Sequence, residues 1–222
     1  MCQSGAVTDF VIDVWSDVVC PFCYLGSVQL LRAVENFDHR GQVVIRPRAF
    51  ELDTRTPTEV STPLAELVAR KYSMPIEQAE AFHRELEAEA AALGMNWHFE
   101  KARVGNSFDA HRLIALAGSQ GLSLAMAERL FRAYFSEGLL ISNHAVLDQL
   151  AAEVGVTDSH ELWSSDDWAD DVRADEAQAL ELGITGVPSM LIDGRFMVVG
   201  AQSPEALLDV LQRAWARRAQ LS

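Results

Sequence analysis

The chain has 222 residues, enough for one well-filled core or for a small domain carrying an insertion. Its 18 Lys and Arg stand against 32 Asp and Glu, a formal net charge of −14 with no basic stripe to neutralise phosphates, which argues against nucleic acid as a partner. Hydrophobic content of 49% beside 23% charged is that of an ordinary globular protein, and no apolar run reaches the length of a membrane span, so no membrane partner is expected.

Residues 10–15 form an apolar run that reads as a buried strand bounded by Ser16 and Asp17. Leu25, Val28, Leu31, Ala33 and Val34 then recur at helical spacing as far as Phe37. Residues 42–50 read as a second strand, with Pro47 marking an edge position or a bend. Such a β-α-β order implies parallel strands joined by a crossover helix.

The period then changes. Residues 63–72 are a short helical run, and Ser73-Met74-Pro75 opens a helix whose stripe is Ile76, Ala79, Phe82, Leu86, Ala90 and Leu93, ended by Gly94. Asn106 or Ser107 caps a helix running through Ala117, and Ser123 caps the next, with Met126, Leu130, Phe131 and Tyr134 inward. Asn143 opens another that ends at Gly155, and an acidic helix over about 166–182 stops at Gly183. Its carboxylates read as a solvated face.

Strand character returns over 187–192. Asp193-Gly194 signals a hairpin with 195–199, and Ser203-Pro204-Glu205 caps a closing helix with Ala206, Leu207, Val210 and Leu211 inward. The order implies an α/β protein. Residues 1–55 and 183–222 form a β-α-β … β-β-α unit with a mixed sheet, and 56–182 form a large all-helical insertion whose last helix can pack on that sheet.

Cys20-Pro21-Phe22-Cys23 lies where the first strand ends and the first helix begins. Pro21 suits the first helical position, since its missing N–H costs nothing there. Cys20 then falls at the N-cap, near unpaired N–H groups and the positive end of the helix dipole, which favour a thiolate. Cys23 follows on the same face within disulfide reach. The more accessible thiolate attacks a disulfide and the second thiol resolves the mixed disulfide. Three other readings compete. Half of a zinc site would need two further ligands, and only Cys2 and six scattered histidines remain. A structural disulfide suits an oxidising compartment. A pair of inert buried thiols fits poorly at a helix N-terminus.

Residues 1–9 are too short and polar for a secretory h-region, so a cytoplasmic location is expected. Cys2 is read as incidental.

The pattern of strand, CxxC helix, strand, helical insertion, Val-Pro loop and hairpin resembles the thioredoxin fold of DsbA-type proteins. Residues 15–26, from Trp15 through the two cysteines to Gly26, are similar to the FrnE-like branch, which is grouped with 2-hydroxychromene-2-carboxylate isomerases and kappa-class glutathione transferases. Residues 106–113, 183–189 and 200–205 match further blocks of that branch. The resemblance implies a thiol-disulfide oxidoreductase with Cys20 and Cys23 catalytic, and with Pro21 and Phe22 among the residues that meet substrate. It implies a cis Pro188 facing the pair, with Val187 offering its main chain to an extended substrate. Thioredoxin-like proteins often bury an acid under the nucleophile's helix, which nominates Asp13 as a proton relay to Cys23, with a solvent-facing Asp13 as the alternative. His111 sits in a matched block, where a structural role is the default. The resemblance also carries a second activity, that of a glutathione-dependent isomerase or transferase. Such relatives commonly carry serine at the position of Cys20. Gln202 and Ser203, at a helix N-terminus, would then hold the γ-glutamyl carboxylate of glutathione. A holdase built on the insertion's apolar surface is a third reading. No bound cofactor is expected, with glutathione as a co-substrate. The partners are disulfide-containing or thiol substrates, for a monomer or a homodimer.

Overall fold

The computed structural model describes residues 9–220, so Cys2 lies outside the described residues. The first strand, β1 (Phe10–Ser16), is followed by α1 (Pro21–Glu35) and β2 (Val43–Ala49), which pairs with β1 in parallel. Near the C-terminus, β3 (Ser189–Ile192) lies antiparallel to β1, and β4 (Phe196–Val199) antiparallel to β3, giving the order β2-β1-β3-β4. Pro47 therefore sits on an edge strand, where a missing N–H breaks no ladder on the open side. Asp193 and Gly194 both take positive φ, 50° and 66°, and Arg195 N–H donates to Ile192 O at 3.1 Å. Both left-handed centres make this the hairpin turn whose twist matches the strands.

Between β2 and β3 lie α2 (Leu64–Tyr72), α3 (Ile76–Ala92), α4 (Phe108–Ser119), α5 (Ser123–Phe135), α6 (His144–Val154), α7 (Ser159–Leu162) and α8 (Ala169–Glu181). The closing helix is α9 (Pro204–Ala219), with Ser203 Oγ accepting from Ala206 N–H.

Period-two alternation divides β1 between two layers. Phe10, Ile12 and Val14 face α1 and α9, packing with Leu30, Ala33, Leu207, Leu211 and Ala214. Trp15 packs on the opposite side with Ala179 of α8 and Ile184. Its indole N–H donates to Asp175 O at 2.9 Å, so α8 is pinned to the sheet. A separate core forms where the start of α1 meets the helices of the insertion: Cys23, Tyr24 and Leu25 are buried among Trp97, Leu113, Leu130 and Phe131. Tyr24 stacks on Phe131 with centroids 4.9 Å apart. The thiols thus sit at the junction of sheet and insertion.

Several expectations shift. On α3 the buried stripe is Ala79, His83, Leu86 and Ala90, while Ile76 and Phe82 are exposed; His83 goes inward because its ring stacks on Phe99 at 4.4 Å. Ser123 is the first residue of α5 and Leu122 its cap, since Leu122 N–H folds back onto Ala117 O and ends the preceding turn there. The acidic helix starts at Ala169, because Trp168 is left-handed and cannot lie inside it. Leu207, Leu211 and Ala214 fill the core from α9, whereas Ala206 is exposed. The short α7 lacks any periodic signal in the sequence.

Candidate active site

Cys20 is the N-cap of α1, with extended backbone (φ −92°, ψ 116°), and Pro21 is the first helical residue. The turn into the helix is closed by Cys20 N–H donating to Asp17 O at 3.0 Å. The cap side chain, a sulfur, faces the N–H groups of Phe22 and Cys23. Both cysteines are free thiols. A hydrogen bond from the Cys23 side chain, reinforced by those N–H groups, outweighs burial and the nearby Asp17 charge and lowers the Cys20 thiol below its ordinary range. Burial first, and then the same bond to Cys20, pushes the Cys23 thiol well up. The two sulfurs are driven in opposite directions by one contact.

Neither cysteine is openly exposed: Cys20 is 4% accessible and Cys23 1%. The segment before β3 leans over Cys20, whose Sγ lies 3.7 Å from Val187 O. The Val187–Pro188 peptide is cis. Pro188 rests on Gly26 of α1, where a Cβ would come within 3.1 Å of Pro188 Cγ. Gly200 N–H donates to Pro188 O at 2.8 Å, which brings the loop before α9, carrying Gln202 and Ser203, beside the same segment. Gln202 donates to Val199 O, and the Ser203 hydroxyl is committed to capping α9. Phe22 is 40% exposed and approaches exposed Phe82 of α3 with centroids 6.4 Å apart, while Pro21 is half-buried. Cys20, Cys23, Val187 and Pro188 are therefore brought together, with the Gln202-Ser203 turn anchored next to them.

Asp13 is not brought to the thiols. Alternation along β1 turns it away from the face that carries α1, and its Oδ1 accepts from Arg48 Nε at 2.8 Å. Arg48 in turn donates to Asp175 Oδ1 of α8 at 2.9 Å. The acid beside the thiols is Asp17, in the turn before α1 and 1% exposed. Its N–H faces the Cys23 sulfur. Its carboxylate accepts from Val19 N–H at 3.3 Å and from Leu52 N–H, beyond β2, at 2.7 Å. His111 of α4, 3% exposed, places Nε2 3.5 Å from Asp17 Oδ1. Around this pair lie Glu51, Glu176 and Asp175. Burial first, then repulsion from Glu176, pushes Glu51 up to about 7. In the sequence Asp17 marks the end of a strand, and nothing in a lone aspartate reveals burial. Ser107 is the N-cap residue of α4 but makes no side-chain cap bond; Asn106, just before it, accepts from Phe108 N–H at 2.8 Å.

Two cavities flank this region. One of about 710 Å³ lies alongside β2 between α4, α5 and α8, with His111 in its wall. The other, about 240 Å³, lies between α1 and α5 and is lined by Leu30, Leu31, Leu124 and Phe131, with Cys23 at its edge. Among the described residues no three His, Cys, Asp or Glu side chains converge as a metal site, and no helix is long and apolar enough to cross a membrane.

Comparison with known proteins gives a consistent answer. A search of curated proteins finds no match. The crystal structure of a probable DsbA oxidoreductase from Streptomyces coelicolor superposes with a TM-score of 0.89 at 34% identity, over 93% of this chain and 90% of that one. The cytosolic disulfide reductase DsbM of Pseudomonas aeruginosa shares the fold at 19% identity (TM-score 0.63, 96% of this chain and 100% of that one), and it is also known with GSH. A 2-hydroxychromene-2-carboxylate isomerase shares it at 19% identity (TM-score 0.69, 96% and 99%). The model of the DSBA-like thioredoxin domain matches residues 11–212, and with that match the chain belongs to the DsbA-like thioredoxin-fold oxidoreductase family.

Proposed function

We propose that the protein is a thiol-disulfide oxidoreductase that cycles Cys20 and Cys23 through a mixed disulfide with protein or small-thiol substrates. The observation that carries this reading is the placement of the two sulfurs: Cys20 caps α1, with its sulfur facing the N–H groups of Phe22 and Cys23, and Cys23 is buried one turn on. A thiol lowered by helix N–H groups and by its neighbour is a ready nucleophile and a good leaving group. A thiol held protonated by burial cannot compete for the first attack, so it resolves. The approach of Val187 O to Cys20 Sγ, with Pro188 next to it on Gly26, supports a dock in which an extended chain pairs with the main chain of Val187. Glutathione serves as reductant or substrate, with its γ-glutamyl carboxylate at the N-terminus of α9 near Gln202 and Ser203. The site is assigned to the cytoplasm, in keeping with a resemblance to a cytosolic reductase.

The alternative of a glutathione-dependent isomerase or transferase is disfavoured by the second cysteine, for which that chemistry has no use. Insulin reduction assayed beside glutathione conjugation separates the two. We expect glutathione-driven reduction that Cys20→Ser abolishes, and accumulation of mixed disulfides on Cys23→Ala. Conjugation or isomerisation without disulfide reduction would overturn the reading.

A further inference from the structure

The resolving step has a proton problem. Cys23 is 1% exposed, the small cavity at its edge is lined mainly by apolar side chains, and while a substrate is attached to Cys20 the front of the site is occupied. The thiol nevertheless has to lose its proton as its sulfur attacks. Behind it, the Asp17 N–H faces the Cys23 sulfur, and the Asp17 carboxylate lies buried between that turn and α4. His111 Nε2 stands 3.5 Å from Asp17 Oδ1 and has no hydrogen-bond partner among the described residues. A buried, unpaired imidazole nitrogen is costly unless it is used. The same ring lines the 710 Å³ cavity, whose wall also includes the exposed Arg46, Gly118, Gly121 and Asp171, so that the cavity opens to solvent.

Resting on the redox reading above, we infer that the proton exchanged by Cys23 travels through the rear of the molecule, from Asp17 to His111 and out through the cavity beside β2. In the resolving step Cys23 Sγ bonds to Cys20 Sγ as the bond between Cys20 Sγ and the substrate sulfur breaks. Over the two exchanges together the cysteine pair loses two electrons and the substrate disulfide gains them. The departing substrate thiolate takes its proton from solvent at the front. The Cys23 proton passes to the Asp17 carboxylate and then to His111 Nε2, and the imidazole releases a proton to water in the cavity. Reduction of the Cys20–Cys23 disulfide runs the same route inward.

The surroundings suit an imidazole that is briefly cationic. Asp17 faces it from the β1–α1 turn, Glu51 from the segment after β2, and Asp175 from α8, with Glu176 beside Glu51 and Arg48 beyond Asp175. Tyr134 of α5 faces Asp17, and its phenol stays protonated because it is fully buried.

The test uses dithionitrobenzoate on the reduced protein with Cys2, a third thiol, replaced by serine in the wild-type background and in every variant. It releases one coloured thiolate as Cys20 is modified and a second as Cys23 resolves. In His111→Ala the first release should stay near the wild-type rate, while the second slows by about tenfold or more at neutral pH and regains speed as pH rises. Added imidazole, admitted by the cavity, should restore the second release in proportion to its concentration. Ala115→Leu narrows the cavity without touching a titratable group and should slow the second release alone. His83→Gln, a buried imidazole on α3, should change neither. A folded His111→Ala protein with a wild-type second release and pH profile overturns the route. Should His111→Ala fail to fold, Ala115→Leu decides alone: a slowed second release supports the route and an unchanged one overturns it. A wild-type protein with no second release overturns the redox reading itself, a different result from loss confined to the variants.

Discussion

At the scale of single residues, the chemistry rests on which sulfur is charged. Because the bond from Cys23 and the helix N–H groups lower Cys20, alkylation of the reduced protein at neutral pH should label Cys20 first, as peptide mapping will show. Preferential labelling of Cys23 would reverse the assigned roles. The intervening Pro21-Phe22 resembles the Pro-Tyr of glutaredoxins and lacks the histidine of DsbA, so a glutathione titration should give a potential of roughly −200 to −230 mV. Glu51 has its own pH signature. Its folded value of about 7 lies above the ordinary 4.5, so the folded state binds more protons than the unfolded one between those values. The stability tied to its protonated form is fully present below about 4.5 and is lost as pH rises through about 7. Denaturant midpoints should therefore decline across that window, and Glu51→Gln should flatten the decline. A wild-type profile unchanged by that substitution would show that Glu51 is not the group responsible.

Between elements, two joints hold the site. Gly26 lets α1 approach the segment before β3, and a Cβ there would meet Pro188 Cγ at 3.1 Å. Gly26→Ala should displace that segment by a few tenths of an ångström. Insulin reduction should drop more than Cys20 alkylation does, with only a modest loss of melting temperature; equal effects on both would place the strain elsewhere. Arg112 is the second joint. It is buried on α4 and donates to the carbonyls of Leu162, Ser165 and Asp167 and to the Asp109 carboxylate, so it ties α4 to the stretch between α7 and α8. Arg112→Ala strands those acceptors and should cost about 3 kcal/mol, read from chemical unfolding. Hydrogen exchange should rise first in α7 and the start of α8, and protection unchanged there would argue against this tether.

For the molecule as a whole, α1 belongs to both cores. Leu25 is buried with the helical insertion, and Leu30 and Ala33 with the sheet and α9. The sheet is also clamped to α8 through Trp15 and Arg48. Sheet and insertion should unfold together. Tryptophan fluorescence and thiol reactivity should report the same denaturant midpoint, whereas a thiol transition at lower denaturant would mean that the insertion opens alone.

Much of this was legible in the chain. Strand and helix periods place Cys20 at the N-cap of α1, Pro47 on an edge and Asp193-Gly194 in the hairpin turn, because these features depend on neighbours within a few residues. The motif blocks carry the family. What the sequence leaves undecided is long-range and depends on facing. Asp13 is an acid in a buried strand, but only the layering of α1 and α8 on opposite faces sends it to Arg48 rather than to the thiols. Asp17 reads as a strand end until β2, α4 and the thiol helix close around it. His111 is one imidazole on an apolar helix until its separation from Asp17 is known. Local propensity acts through a few bonds along the chain, whereas burial, charge pairing and cavities arise from elements that lie far apart in the chain, and those decide which acid and which base can serve the sulfurs.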